Sequence, residues 1–335
     1  MRTFFVVALI VSALLLVPAP PRVSAARTWN VQVGASAVNQ ADQALLFLPS
    51  TITIDAGDSV QWKLAASDHT IYFPAGQKPP DLIIPGKAKG ALLWNPKVFF
   101  ASPKTAYDGT GPISGGALLH DPNAPKAFRL TFTKPGTYTY LCMFHPGMEG
   151  KVIVQPAGSP YPMTQAQYGA EGAKQAKAAL AKAEALRTAT KPAITMSGGK
   201  RTYTLNLVGS VKDHVTVYRF PAGNLTINRG DTVTWVMQDP TELHTVSFGV
   251  GTRPFDIVTM QRQPQGPPLL QVTPDVVAPA GGTIQRGAGF YNSGFMMTEG
   301  PGVRRYGLTF TKSGTFNYTC AVHDDFGMKA VITVR

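Results

Sequence analysis

Hydrophobic and polar positions alternate in short runs along most of the chain, with the two-residue period of a half-buried strand. In Thr51-Ile52-Thr53-Ile54 the alternation runs up to a Gly57-Asp58 turn and resumes in Ser59-Val60-Gln61-Trp62. Gly136 and Gly314 each punctuate a turn before a strand that leads into a cysteine. Val152-Ile153-Val154 and Val331-Ile332 with Val334 read as closing β runs. With 33 Gly and 28 Pro in 335 residues, turns between short strands are favoured over helix bundles. The expected class is all-β, with β-sandwich or Greek-key barrel units.

The pattern occurs twice. Residues 130–142, LTFTKPGTYTYLC, match 308–320, LTFTKSGTFNYTC, at nine of thirteen positions and an offset of 178. Residues 51–62, TITIDAGDSVQW, resemble 224–235, NLTINRGDTVTW, at an offset of 173. The chain therefore reads as a tandem duplication, with domains at 26–156 and 200–335. Between them, 157–199 reads as a linker whose stretch 164–191 is rich in Ala, Lys, Gln and Glu, strong helix formers. Few large apolar residues lie there, so a solvated helical spacer is expected.

The first 25 residues stand apart. A basic Met1-Arg2, an apolar run from Phe4 to Val17 and small residues at Val23 and Ala25 read as a secretory signal peptide cleaved near Ala25. The run is short for a membrane span, and an uncleaved anchor is the competing reading. Processing lowers the net charge from +12 to +10. The expected location is periplasmic or secreted. The basic charge suggests acidic redox partners or an anionic surface, with general solubility as the plain alternative. No nucleic-acid-binding motif is present.

Two cysteines are too few for a disulfide scaffold or a zinc ribbon. Each instead opens a short ligand pattern. In the first repeat Cys142 is followed by His145 and Met148; in the second, Cys320 is followed by His323 and Met328. Upstream, each repeat has a histidine soon after its Gly-Asp turn strand, His69 and His244. Two imidazoles, a thiolate and a thioether form the donor set of a blue-copper electron-transfer site, because soft sulfur suits Cu(I) while imidazole accommodates Cu(II). A Cys142–Cys320 disulfide is the alternative use of the two thiols.

On these motifs both halves resemble cupredoxins, the plastocyanin/azurin family of blue copper proteins. The first ligand loop, with two residues between His145 and Met148, resembles that of amicyanin. The second, with four between His323 and Met328, resembles those of plastocyanin and pseudoazurin. The resemblance implies two Greek-key sandwiches, each with a type 1 copper. One centre would use His69, Cys142, His145 and Met148; the other His244, Cys320, His323 and Met328. It also implies that His145 and His323 lie at the molecular surface as electron portals. The departures are long insertions at 77–128 and 252–300, which bear on partner docking.

Two-domain copper enzymes of this fold place a histidine beside the blue-copper cysteine. Here the neighbours are Leu141 and Met143, and Thr319 and Ala321. Six histidines, four of them assigned, leave His120 and His214 as surface or loop residues and too few donors for a trinuclear cluster. The expected function is an exported electron carrier rather than an enzyme. Its partners would be exported cytochromes or membrane-bound oxidoreductases. Copper storage or delivery is the alternative, and an oxidoreductase the weaker one.

Overall fold

A computed structural model describes residues 25–249 and 257–335. The expected signal peptide lies outside the described residues but for Ala25. Among the described residues no helix is long and apolar enough to cross a membrane.

Each repeat folds as a two-sheet β-sandwich. In the first, one sheet holds Thr28–Ser36, Asp42–Leu48, Ser59–Leu64, Ala106–Tyr107 and Ala127–Phe132. The facing sheet holds Thr51–Asp55, His69–Phe73, Ile113–Leu118, Gly136–Leu141 and Glu149–Gln155. The alternation read from sequence points inward as expected: Ile52, Ile54, Val60 and Trp62 are all fully buried. Trp62 is the centre of this core, ringed by Phe73, Phe128 and Tyr140. Trp235 takes the same place in the second sandwich, against Phe248, Tyr306 and Tyr318.

The two sandwiches are joined edge to edge. Asp42–Leu48 pairs antiparallel with Val215–Val217, in the register Ala44 to Val215 and Asp42 to Val217. The pairing merges one sheet from each repeat into a single sheet of eleven strands. Its main path runs through corresponding strands in the same order from either end. Further backbone bonds cross the seam, from Leu45 N–H to the His214 carbonyl and from Tyr218 N–H to the Ala41 carbonyl.

The insertions also meet. Ile83–Pro85 and Leu92–Trp94 form a hairpin in the first repeat, and Val258–Gln261 and Leu269–Val272 form one in the second. Their inner strands pair, Trp94 with Leu270 and Leu93 with Gln271, giving one four-stranded sheet shared by both repeats. Beneath it Trp94, Leu270, Val272, Val276 and Phe295 form an apolar core that reaches Ala321, beside the second cysteine.

The linker helix differs from the expected spacer. It spans Gln165–Ala189, starts at a Thr164–Gln167 capping box, and lies along the first sandwich and the seam. Small residues make this contact. Ala179 and Ala183 are buried against Ala35, Ala44, Leu48 and Val215. Gly172 allows the helix to approach closely: a β-carbon there would sit 3.0 Å from the Leu48 carbonyl carbon. Arg187 Nε pairs with the buried Asp42 at 2.7 Å. A helix poor in large apolar residues thus still docks, because alanines present a flat surface. Within the expected linker, Ala193–Ser197 pairs with Lys200–Ser210 of the second sandwich.

Candidate metal centres

Each sandwich brings together the distant histidine and the Cys-x2-His turn that sequence reading assigned. His69 opens the strand His69–Phe73, which pairs with the strand Gly136–Leu141 ending one residue before Cys142. A buried hydroxyl locks the two segments. Met143 N–H donates to Thr70 Oγ1 at 2.6 Å, and Thr70 N–H donates to Cys142 Sγ at 3.3 Å. Thr245 repeats both bonds in the second site, to Ala321 N–H at 2.7 Å and Cys320 Sγ at 3.3 Å. The sequence reading missed this use of the threonine after each histidine, although the His-Thr pair is visible in both repeats.

In the first site Cys142 Sγ lies 3.3 Å from His145 Nδ1 and 3.8 Å from His69 Nδ1. In the second Cys320 Sγ lies 3.5 Å from His323 Nδ1 and 3.9 Å from His244 Nδ1. Bonds of roughly 2.0–2.3 Å from a metal to nitrogen and sulfur, spread over a trigonal plane, separate the ligand atoms by roughly 3.5–4 Å. Three of these distances fall in that range, while Cys142–His145 at 3.3 Å and the His244–His323 Nδ1 pair at 3.2 Å are slightly closer. Every imidazole turns Nδ1 toward its cysteine. Cys142, His145 and His69 are buried, as are Cys320, His323 and His244. Met148 and Met328 are buried in the same cores as the cysteines. The residues fit a soft, thiophilic metal ion in each sandwich. Both thiols are free, so the disulfide alternative is not realised. Among the described residues these are the two close groups of three or more His, Cys, Asp or Glu donors.

Electrostatics prepares the donors. Burial raises a thiol, but His145 and His69 outweigh it and hold Cys142 well below its ordinary value. His323 and His244 do the same for Cys320. A thiolate is the form that binds metal.

The expected surface portals are not observed. His145 and His323 are only 2% and 3% exposed, because the ligand-bearing ends of the two sandwiches face one another. Gly147 is packed so closely that a β-carbon there would lie 2.6 Å from Val211 of the second repeat. Between the sites stands Glu242, its side chain 8% exposed. Its Oε1 is 2.6 Å from His145 Nε2, and its Oε2 is 3.6 Å from His323 Nε2. Tyr218 stacks on His323 and donates its hydroxyl to Glu242 Oε1 at 2.6 Å. The Ser67 hydroxyl lies 2.7 Å from that of Tyr218 and completes the chain.

Charge follows this geometry. Burial opposes ionisation of Glu242, but the His145 and His323 imidazoles hold it well below the usual carboxylate range. In return Glu242 and Cys142 overcome burial and lift His145 well above its ordinary value. His323 is lifted to about 10, against burial, by Cys320 and Glu242. The sequence reading did not find Glu242. Its signal was a difference between the repeats: the position two before the upstream histidine is Ser67 in one and Glu242 in the other.

The upstream histidines also differ. His244 Nε2 lies 3.4 Å from Asp239, a fully buried carboxylate that accepts from Thr216 and Thr241. Burial would lower His244, but Asp239 and Cys320 bring it above its ordinary value. His69 Nε2 is buried without a hydrogen-bond partner. Burial and then His145 push His69 below its ordinary value. Of the remaining histidines, His120 is exposed with its ring 5.0 Å from that of Phe326. His214 sits in a turn with φ at 56°.

A β-sandwich that brings two imidazoles and a thiolate together, with a methionine buried in the same core, is the arrangement of a cupredoxin. The chain belongs to this plastocyanin/azurin family of blue copper proteins, a family of electron carriers. It is 32% identical over 136 residues to chloroplastic plastocyanin of Tetradesmus obliquus, covering 39% of this chain and 69% of plastocyanin. It is 49% identical over 45 residues to amicyanin of Paracoccus denitrificans, covering 13% of this chain and about a third, 34%, of amicyanin. The solved amicyanin of Paracoccus versutus aligns at 20% identity with 41% of this chain and 86% of its own, at a TM-score of 0.23. No family model matches the chain.

Proposed function

We propose that this chain is an exported electron-transfer protein that holds two type 1 copper ions and passes single electrons between them. One ion would be held by His69, Cys142, His145 and Met148, the other by His244, Cys320, His323 and Met328. Copper would supply the one-electron couple. The protein would supply a buried, hydrogen-bonded donor set suited to both oxidation states, which would keep reorganisation small. The observation that carries the reading is the pair of buried His-Cys-His sets facing each other across Glu242.

That arrangement favours a relay over two independent carriers. It also favours retention over delivery, since both loop histidines are covered by the opposite repeat. Electrons would enter and leave at other surfaces than the two histidine edges. Partners would be exported cytochromes or membrane-bound oxidoreductases, docked through the basic charge of the protein. Copper analysis and the visible spectrum of the mature protein test the reading. Two coppers with intense thiolate-to-Cu(II) absorption are expected, and Cys142→Ser and Cys320→Ser should each remove one centre. A third, non-blue copper would overturn it in favour of an enzyme.

A further inference from the structure

The carboxylate between the sites does more than fill a gap. Glu242 is one acid facing two imidazoles, each with its other nitrogen turned to a cysteine. Its contacts are unequal, 2.6 Å to His145 and 3.6 Å to His323. The Tyr218 hydroxyl bonds the same oxygen that His145 meets, so the side chain is held from a third direction. An acceptor on Nε2 fixes the proton there and leaves Nδ1 as the ligand atom. A single carboxylate cannot bond equally well to two imidazoles if their charge differs. It moves toward the one that carries more positive charge, and the other loses part of its partner.

We propose that Glu242 is a positioning residue shared by the two metal sites, and that it couples them because His145 and His323 compete for it. The inference rests on the two-site reading above. Its first consequence is local and needs no metal. Glu242 holds the Nε2–H form of His145 by a hydrogen bond and faces Nε2 of His323 at ion-pair distance. Its second consequence is long-range. Whatever alters the charge of one loop imidazole weakens or strengthens the hold on the other. The two centres then behave as one unit with interacting potentials.

The test uses the full mature chain with nitrogen-15-labelled histidine, as wild type and as Glu242→Ala. In the metal-free protein, Nε2–H of His145 and His323 should exchange slowly with water in the wild type. In Glu242→Ala it should exchange at least tenfold faster. In a Cys320→Ser background, adding Cu(I) fills the first site and should shift the His323 Nε2 resonance. Glu242→Ala should shrink that shift several-fold. Glu242→Asp is the second variant. Its shorter arm reaches one imidazole and not both, so protection should survive at one histidine alone. Unchanged exchange in the metal-free variants overturns the positioning role, whatever the copper content. A cross-site shift that survives Glu242→Ala overturns the coupling. Copper content below two in the wild type instead counts against the two-site reading, and the metal-free exchange still decides the role of Glu242.

Discussion

Tyr218 lies on His323 with ring centroids 4.0 Å apart and planes 17° apart, while its hydroxyl bonds Glu242 at 2.6 Å. One side chain thus packs the loop histidine of the second His-Cys-His set and steadies the acid that meets the loop histidine of the first. Tyr218→Phe keeps the stack and removes the hydroxyl. A hydrogen bond to a charged acceptor contributes about 1.5–3 kcal/mol, so unfolding in denaturant should shift by that amount. Both copper centres should still form. Tyr218→Leu removes the stack as well and should also perturb the second centre's absorption. Equal stability of wild type and Tyr218→Phe would show that the hydroxyl contributes nothing.

Gly34 lies against the first site. Its φ is +73°, and a β-carbon there would fall 2.4 Å from the Ala66 carbonyl oxygen and 2.5 Å from His69 Nε2. Gly34→Ala cannot be accommodated without moving His69. Overpacking of this kind costs about 1–3 kcal/mol. Copper content should fall from two toward one, with the Cys320 centre retained. A variant that binds two coppers at wild-type stability would contradict this contact.

Asp239 makes the two His-Cys-His sets inequivalent. A carboxylate on the outer nitrogen of a ligand histidine raises its basicity and favours the oxidised metal. His69 has no such partner. Asp239→Asn should therefore raise the potential of the second centre, with at most a smaller shift passed to the first through Glu242. A tenfold change in the oxidation equilibrium corresponds to ~59 mV for one electron, and the shift should be of that order. Redox titration of both centres checks it, and an equal shift in the two would contradict the assignment.

The docked helix carries its own test. Arg187 pairs with Asp42, which is 1% exposed and stands in the strand that forms the seam. Arg187→Ala leaves that buried carboxylate without its cation. The loss should be about 1–3 kcal/mol, read as an earlier denaturant midpoint and faster proteolysis within Gln165–Ala189. A helix that is only a tether would show neither.

What sequence could and could not reveal divides along the range of the interaction. The Cys-x2-His-Met loops are local, so their spacing alone declares a ligand set, and the duplicated Ile52 and Trp62 pattern declares the sandwich. The burial of His145 and His323 depends on how the repeats face each other, and that is set by the seam at Ala44 and Val215 and by the Trp94–Leu270 pairing. Neither has a local motif. The helix itself was legible, but its docking was not, because Ala179 and Ala183 bury little area each and form no stripe of large apolar residues. Glu242 was hidden for the same reason as the portals: its partners lie 97 and 81 residues away in the chain.

The palindromic strand order has a consequence for the centre of the molecule. Pairing of corresponding strands, at the seam and in the shared hairpin sheet, is what a dimer of one-repeat chains would form about a twofold axis. In such a dimer, any residue facing the axis appears twice. Two acids in the place of Glu242 would confront each other and repel, and two serines would leave both histidines without an anion. A single chain carrying both repeats is free of that restriction. It holds a lone acid opposite Ser67, so the centre of the molecule is asymmetric within a symmetric scaffold.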